Sequence, residues 1–225
     1  MTGVDLNPAY VAAARETAAR QGLGGRVRVV EAAFDAMPFA DGTFDFVWCA
    51  QSFFSLPDPV GALRHMRRVL RPGGVVAILE NDTVHQVCLP WPVHLELPIR
   101  AAELRSFADA DGNAGRFYAG RRLPALLAQG GFEAGTCTTW AIDRRAPLAE
   151  AERALLQGYL EDVAQRVAPF LAPALYAELR GLLDTTAPTH LLRDPHLTMT
   201  WLNVVATGKK LGGGRPYSHS TSGDA

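Results

Sequence analysis

The sequence has little cysteine and almost no net charge. Its 225 residues include three cysteines, which are widely spaced and form no CxxC pair, so neither a disulfide framework nor a structural zinc site is predicted. Twenty-two basic residues against 23 acidic ones give a formal charge of -1, and such a balance creates no field that would attract nucleic acid or an anionic membrane surface. We therefore expect no nucleic-acid partner and no membrane partner.

Long apolar runs are also missing. No stretch reaches the ~18 uninterrupted apolar residues of a membrane span, and the first residues lack the charged and then apolar regions of a secretory leader. Hydrophobic residues make up 48% and charged residues 20% of the chain, which is typical of a soluble globular domain. These features favour a cytoplasmic protein with one large domain.

Short apolar segments alternate with helix-forming segments as far as Glu80. Two helix starts are marked by a capping residue followed by proline, at Asn7-Pro8 and Asp58-Pro59. Strands are predicted on either side of these helices, at residues 1–6, 27–31, 44–48 and 75–79. This alternation predicts an α/β fold with a doubly wound, mainly parallel sheet covered by helices on both faces.

The alternation stops after Glu80. Residues 82–120 are rich in proline and polar residues and are predicted to form an irregular insertion or lid, followed by a helix that ends at Gly130. Strands are predicted at 136–142 and 198–207, with two helices in a second insertion, residues 143–195. These helices are either a cap or an oligomer contact, which would make a homodimer, and residues 211–225 are expected to be a disordered tail.

Ligands of open parallel sheets bind outside the carboxyl ends of the strands, and Asp5 ends the first strand. A carboxylate at this place can accept hydrogen bonds from both hydroxyls of a ribose. The alternative is that Asp5 only supports the N-terminus of the following helix.

Four segments, quoted in order, resemble successive motifs of class I S-adenosylmethionine-dependent methyltransferases: GVDLNP from Gly3, MPFADGTFD from Met37, LPDP from Leu56 and VLRPGG from Val69. The resemblance covers residues 3 to about 80 and is greatest to the small-molecule branch that includes ubiquinone and menaquinone biosynthesis enzymes. It implies a Rossmann-like methyltransferase domain over residues 1–210, S-adenosyl-L-methionine as cofactor and a small-molecule methyl acceptor.

The resemblance also implies which residues hold the adenosine part of the cofactor. Asp5 would bind the ribose hydroxyls and Leu6 would pack on the adenine. Ala33 occupies the position where the family usually has an aspartate for the adenine amino group, and Asp35 is the expected compensation. Phe34 would lie against the adenine ring, or else it is an ordinary core phenylalanine.

The methionine part of the cofactor is expected beside the end of the Phe44 strand. Cys49, Ala50 and Gln51 fall where the family's chain passes that part, mostly through backbone groups. The side chains of these three residues therefore say little about the binding of the cofactor.

The family's glycine-rich turn, with the strand before it and the helix after it, has no counterpart in this sequence. A βαβ unit takes about 30 residues, and only four residues precede Asp5. The absent strand would pair between the Asp5 strand and the Phe44 strand. Our hypothesis is that Met1 is an internal or misassigned start, or that the gene product is truncated.

Methyl transfer by in-line displacement needs few catalytic side chains, because holding the donor and the acceptor in line supplies most of the rate. If the acceptor needs a base, His85 is the best-placed histidine; the alternative is a solvent-exposed residue at the start of an insertion. The apolar residues of the two insertions suit a small, partly apolar acceptor, or they only pack the insertions. No histidine or carboxylate spacing suggests a metal site.

Three functions compete at this point. The first is methyl transfer from S-adenosylmethionine to a small, partly apolar acceptor. The second is a cofactor-incompetent remnant of such an enzyme that acts by binding or assembly. The third and least favoured is a nicotinamide-dependent oxidoreductase, since an acid at a strand end also binds the ribose of NAD, but the sequence has no YxxxK pair.

Overall fold

A computed structural model describes residues 1–111 and 117–212. Seven strands lie in these ranges, namely β1 (Thr2–Asp5), β2 (Arg28–Glu31), β3 (Phe44–Ala50), β4 (Leu70–Glu80), β5 (Val87–Cys88), β6 (Glu133–Arg145) and β7 (Thr198–Lys209). Six α-helices accompany them, namely α1 (Pro8–Arg20), α2 (Pro59–Val69), α3 (Val93–Asp111), α4 (Ala119–Gln129), α5 (Glu150–Val167) and α6 (Pro173–Leu182). The α/β class predicted from the sequence is confirmed.

Two helices begin where their capping residues predict. The side chain of Asn7 accepts a hydrogen bond from the backbone N–H of Ala9 at 2.9 Å, and α1 starts at Pro8. Asp58 accepts from the N–H of Gly61 at 2.8 Å, and α2 starts at Pro59. Each cap satisfies one of the N–H groups that a helix leaves without an internal partner.

The expectation of a mainly parallel sheet is wrong for the described residues, where two strand pairs are parallel and three are antiparallel. Strand β1 pairs with β2, and β3 with β4, in parallel. Strand β7 lies antiparallel between β4 and β6, and its first residues also pair with β5. The parallel pairs are those joined by α1 and α2, because a parallel pair needs a crossover connection. The antiparallel pairs all involve β7, whose partners are distant in sequence.

Strands β1 and β2 form a sheet of their own. Among the described residues no ladder joins them to the five-stranded sheet of β3 to β7, so β1 and β3 each have one unpaired edge. On β3 the side chains of Phe46 and Trp48 are 54% and 51% exposed. The same face continues across the sheet to Trp140, which is 60% exposed. Helices α2 and α4 both pack on the opposite face of the sheet, and neither covers the face of these aromatic residues.

Two large apolar clusters stabilise the protein. In the first, Leu63 and Met66 of α2 and Leu123 and Leu127 of α4 pack on the covered face of the sheet, against strand residues such as Ile78. The second joins α3, α5 and α6 to β5 and the first part of β7. Burial of apolar surface contributes ~25 cal/mol per Å² to the stability of the fold. Each cluster therefore holds its own helices against the strands that they contact.

Residues 82–120 are more regular than predicted. The expectation of an irregular insertion is wrong for residues 93–111, which form the 19-residue helix α3 with Pro98 inside it. Its apolar residues Leu95, Ile99 and Ala102 are fully buried, and their i, i+4, i+7 spacing is the helical signal that the surrounding prolines obscured.

Two further expectations fall at the limits of the described residues. Of the insertion predicted at 82–120, residues 112–116 lie outside the described residues, as does most of the predicted tail, residues 213–225. Within residues 1–111 and 117–212 no helix combines the length and the apolar character that crossing a bilayer requires.

The contact between α2 and α4 allows a test of the packing. A Cβ added to Gly130 would lie 2.6 Å from the Cβ of Leu63, which is fully buried. We expect Gly130→Ala to lower the free energy of unfolding by about 1–3 kcal/mol, measured by urea denaturation.

The matched control is Gly158→Ala, in the interior of α5, where no atom lies within 4 Å of the added Cβ. This change should raise the free energy of unfolding by about 0.5–1 kcal/mol, because alanine is the better helix former. Equal effects of the two substitutions would contradict the packing of α2 against α4.

Candidate functional site

The largest described cavity opens where three strands end. It has a volume of about 650 Å³, within the range of small-molecule sites, and we call it the strand-end cavity. The last residues of β1 and residues that follow β1, β2 and β3 line it together with the first turns of α2: Val4, Asp5, Leu6, Ala33, Phe34, Asp35, Ser52, Ser55, Leu56, Pro57, Asp58, Gly61, Ala62 and His65. Five of the residues predicted to hold adenosine are therefore together in one cavity.

Asp5 has one engaged and one available carboxylate oxygen. Its Oδ1 accepts the backbone N–H of Asn7 at 2.7 Å, and Asn7 in turn caps α1. Within the described residues Oδ2 has no hydrogen bond. Support of the helix N-terminus and binding of a ligand hydroxyl are therefore compatible roles of the same side chain.

Apolar groups face the cavity on both sides of Asp5. Leu6 is 69% exposed and lines the cavity. Phe34 lies in a short 3-10 turn and packs partly against the first apolar cluster, so it is both a core residue and a lining residue. Ala33 and Asp35 flank it.

The three residues expected at the methionine part are not brought together. Cys49 is 4% exposed and lies in the first cluster; burial, with a smaller effect of the Glu80 charge, raises the pKa of its thiol to about 12. Ala50 pairs with Leu79 in the sheet. Gln51 lines a second cavity on the face of the sheet, whereas the next residue, Ser52, lines the strand-end cavity.

Glu80 was not predicted as a site residue, and it holds the turn between the two cavities. Its Oε1 accepts the backbone N–H groups of Phe53 and Phe54 at 2.6 and 3.2 Å. The residue is 2% exposed, and burial raises the pKa of its carboxyl group although backbone N–H groups oppose this shift. An acidic residue at the end of an apolar strand was the available signal.

His85 lies on the other side of the β4 end. It closes a 3-10 turn, Thr83–His85, and its ring is 5.8 Å from that of Tyr118. Burial, followed by the charges of Arg100 and Arg121, lowers the pKa of its imidazole. His85 is not among the residues that line the strand-end cavity or the second cavity.

The aromatic residues of the insertions pack among themselves. Phe107 and Phe117 stack with ring centroids 4.0 Å apart, and Trp91 and Tyr159 belong to the second cluster. None of these four lines either cavity. Their geometry is that of internal packing.

The fold and the strand-end cavity define a class of protein, an α/β domain with a candidate ligand site beyond its strand ends. Residues 1–78 match the family described as methyltransferase domain. The ubiquinone/menaquinone biosynthesis C-methyltransferase UbiE of Marinomonas sp. is 40% identical over 76 residues, which are 34% of this chain and 30% of that protein. Cycloartenol-C-24-methyltransferase 1 of Oryza sativa is 36% identical over 80 residues, which are 36% of this chain and 23% of that protein.

A solved structure extends the likeness to the fold of the whole chain. A Bacillus halodurans protein, described as a candidate methyltransferase, has a TM-score of 0.56 at 17% identity and covers 94% of this chain and 83% of that one. The resemblance to class I S-adenosylmethionine-dependent methyltransferases, and the Rossmann-like fold, are thus confirmed. The sequence match spans less than a third of either curated relative.

The described residues fit part of the cofactor that this family implies. The strand-end cavity offers a carboxylate oxygen without a partner and apolar side chains at Leu6 and Phe34, which suit a ribose and an adenine ring. The groups expected at the methionine part are divided between the core and the second cavity. The fit of the side chains is therefore to the adenosine part.

The role of Glu80 can be tested by pH. Because burial raises its pKa, the folded protein holds this proton more tightly than the unfolded chain does. The resulting stabilisation is complete below the ordinary pKa of 4.5 and is lost as the pH rises through the raised pKa. Between pH 4 and 8 we expect the wild type to lose stability relative to Glu80→Gln, measured by urea denaturation at each pH.

A second variant separates the charge from the hydrogen bonds. Glu80→Ala removes the acceptor of two N–H groups, which Glu80→Gln keeps, and its free energy of unfolding should be lower than that of Glu80→Gln by about 2–4 kcal/mol at every pH. A wild type that gains stability with pH relative to Glu80→Gln would contradict the raised pKa.

Proposed function

We propose that this chain takes part in methyl transfer from S-adenosylmethionine to a small, partly apolar acceptor. One observation carries the proposal: five residues, separated by up to 30 positions in the sequence, line a single cavity at the ends of three strands. They are Asp5, Leu6, Ala33, Phe34 and Asp35, the set that the family resemblance implies for adenosine. The methyltransferase family match over residues 1–78 supports the same conclusion.

The contribution of each residue follows from its place. Asp5 accepts hydrogen bonds from the ribose hydroxyls through the oxygen that Asn7 leaves available, and a charge-assisted bond of this kind is stronger than a neutral one. Leu6 and Phe34 cover the adenine and remove it from water. Asp35 compensates for the alanine at position 33.

The cofactor, when bound, supplies an electrophilic methyl group on a sulfonium. The protein's part is then to hold the donor and the acceptor in line and to exclude water, which accounts for most of the rate in such reactions. Both relatives are named as C-methyltransferases. The family match ends at residue 78, whereas most residues that line the second cavity come later in the sequence. The match therefore says little about the acceptor, and the residues of that cavity are the remaining source of information.

His85 stays the predicted base for an acceptor that must lose a proton. The lowered pKa keeps its imidazole neutral at pH 7, which is the form a base needs. His85 lines neither cavity, so this role requires an acceptor that extends beyond them towards the end of β4.

Calorimetric titration of the chain with S-adenosylhomocysteine and with adenosine tests the proposal. We expect both to bind, and Asp5→Asn to weaken both about 10- to 100-fold, because it removes the charge but keeps the acceptor for Asn7. Asp109→Asn is the matched control, since Asp109 is exposed and is not among the residues that line the cavity, and it should bind like the wild type.

The same titrations distinguish the other two functions. Binding of NAD without binding of adenosine or S-adenosylhomocysteine would favour the oxidoreductase. Absence of binding by all three ligands would contradict the proposal and favour the remnant that acts by binding or assembly.

A further inference from the structure

A second cavity, which we call the sheet-face cavity, lies against the face of the sheet that α2 and α4 leave uncovered. Its volume is about 290 Å³, at the lower end of the range for small-molecule sites. Ile142 of β6 and Trp201 of β7 form its floor and are register partners. Leu155 and Leu156 of α5 form a wall. The cavity therefore has room for a ligand of one or two rings on an apolar floor.

The two cavities share one turn of the chain. Gln51 lines the sheet-face cavity and Ser52 lines the strand-end cavity. Gln51 has φ 48° and is the one non-glycine residue with positive φ among residues 1–111 and 117–212. Such a conformation is strained for a residue with a side chain and is retained where its surroundings fix it. Here the N–H of Gln51 donates to the Leu79 carbonyl at 2.9 Å, and Glu80 holds the next turn.

The polar groups of the sheet-face cavity favour a neutral ligand. Its charged side chains, Arg144 and Glu152, are paired with each other at 2.6 Å, and Glu152 also accepts the N–H of Ala149. The other polar groups of the lining residues are the amides of Gln51 and Asn203 and the indole N–H of Trp201, all of them uncharged. Amides hydrogen-bond hydroxyl and carbonyl groups without adding charge, whereas an anion here would have to compete with Glu152 for Arg144.

We propose that the sheet-face cavity binds the methyl acceptor, and that this acceptor is a neutral, flat molecule of one or two rings whose oxygen hydrogen-bonds the amide of Gln51 or Asn203. The identification of the ligand as the methyl acceptor rests on the proposed function. It is argued from the turn at Gln51 and Ser52, which brings the two cavities side by side. The chemistry of the ligand rests only on the residues of this cavity.

Two probes with the same ring system test the charge of the ligand. The full chain is titrated with 2-naphthol, which is neutral at pH 7, and with 2-naphthoate, which is an anion, and binding is followed by calorimetry. We expect 2-naphthol to bind at least tenfold more tightly than 2-naphthoate. Equal or tighter binding of 2-naphthoate would overturn the proposal, as would the absence of 2-naphthol binding.

Variants locate the bound probe. Gln51→Leu should weaken 2-naphthol binding about five- to tenfold, because it removes one hydrogen bond. Its control is Gln129→Leu, at an exposed position of α4, which should have no effect. Leu155 is 65% exposed, so Leu155→Trp fills the cavity without removing a core residue. It should abolish 2-naphthol binding, and Ala154→Trp, next to it on α5 and outside the lining, should not.

Circular dichroism shows whether each variant is folded. Unchanged 2-naphthol binding by Leu155→Trp in a folded protein would place the probe elsewhere and overturn the proposal. S-adenosylhomocysteine is titrated into the same variants and should bind Leu155→Trp like the wild type. If the wild type binds 2-naphthol but not S-adenosylhomocysteine, the proposed function is overturned. The ligand of the sheet-face cavity could then no longer be called a methyl acceptor.

Discussion

The hydrogen bonds from the N–H groups of Phe53 and Phe54 to the buried carboxylate of Glu80 fix the turn after β3. This turn separates the two cavities, because Gln51 faces one and Ser52 the other. A carboxylate buried in this way is costly unless its oxygens are satisfied, so the turn and the end of β4 depend on each other. The site geometry follows from this one constraint.

Local signals in the sequence predicted a large part of the fold. The caps at Asn7 and Asp58 and the glycine after α4 act within a few residues of the chain, and they placed three helices. The predicted adenosine residues, such as Asp5 and Phe34, also lie together, because strand ends of one parallel sheet meet at one edge. Their role in binding the cofactor stays a prediction.

Features that depend on contacts between distant parts of the chain could not be predicted from the sequence. The antiparallel pairing of β7 with β4, β5 and β6 joins residues far apart in sequence. The position of α3 was hidden because Pro98 reads as a helix breaker, whereas burial of Leu95 and Ile99 determines the outcome. Cys49 lies in the core and Gln51 lines a cavity, and the chain turns between them through the positive φ of Gln51. No residue pattern in the sequence predicts this conformation.

A crystal structure of the chain with S-adenosylhomocysteine would test the central claim most directly, namely that the strand-end cavity is an adenosine site. We predict that both ribose hydroxyls lie within hydrogen-bonding distance of Asp5, with the adenine between Leu6 and Phe34. Adenosine bound in the sheet-face cavity, or away from Asp5, would contradict the account.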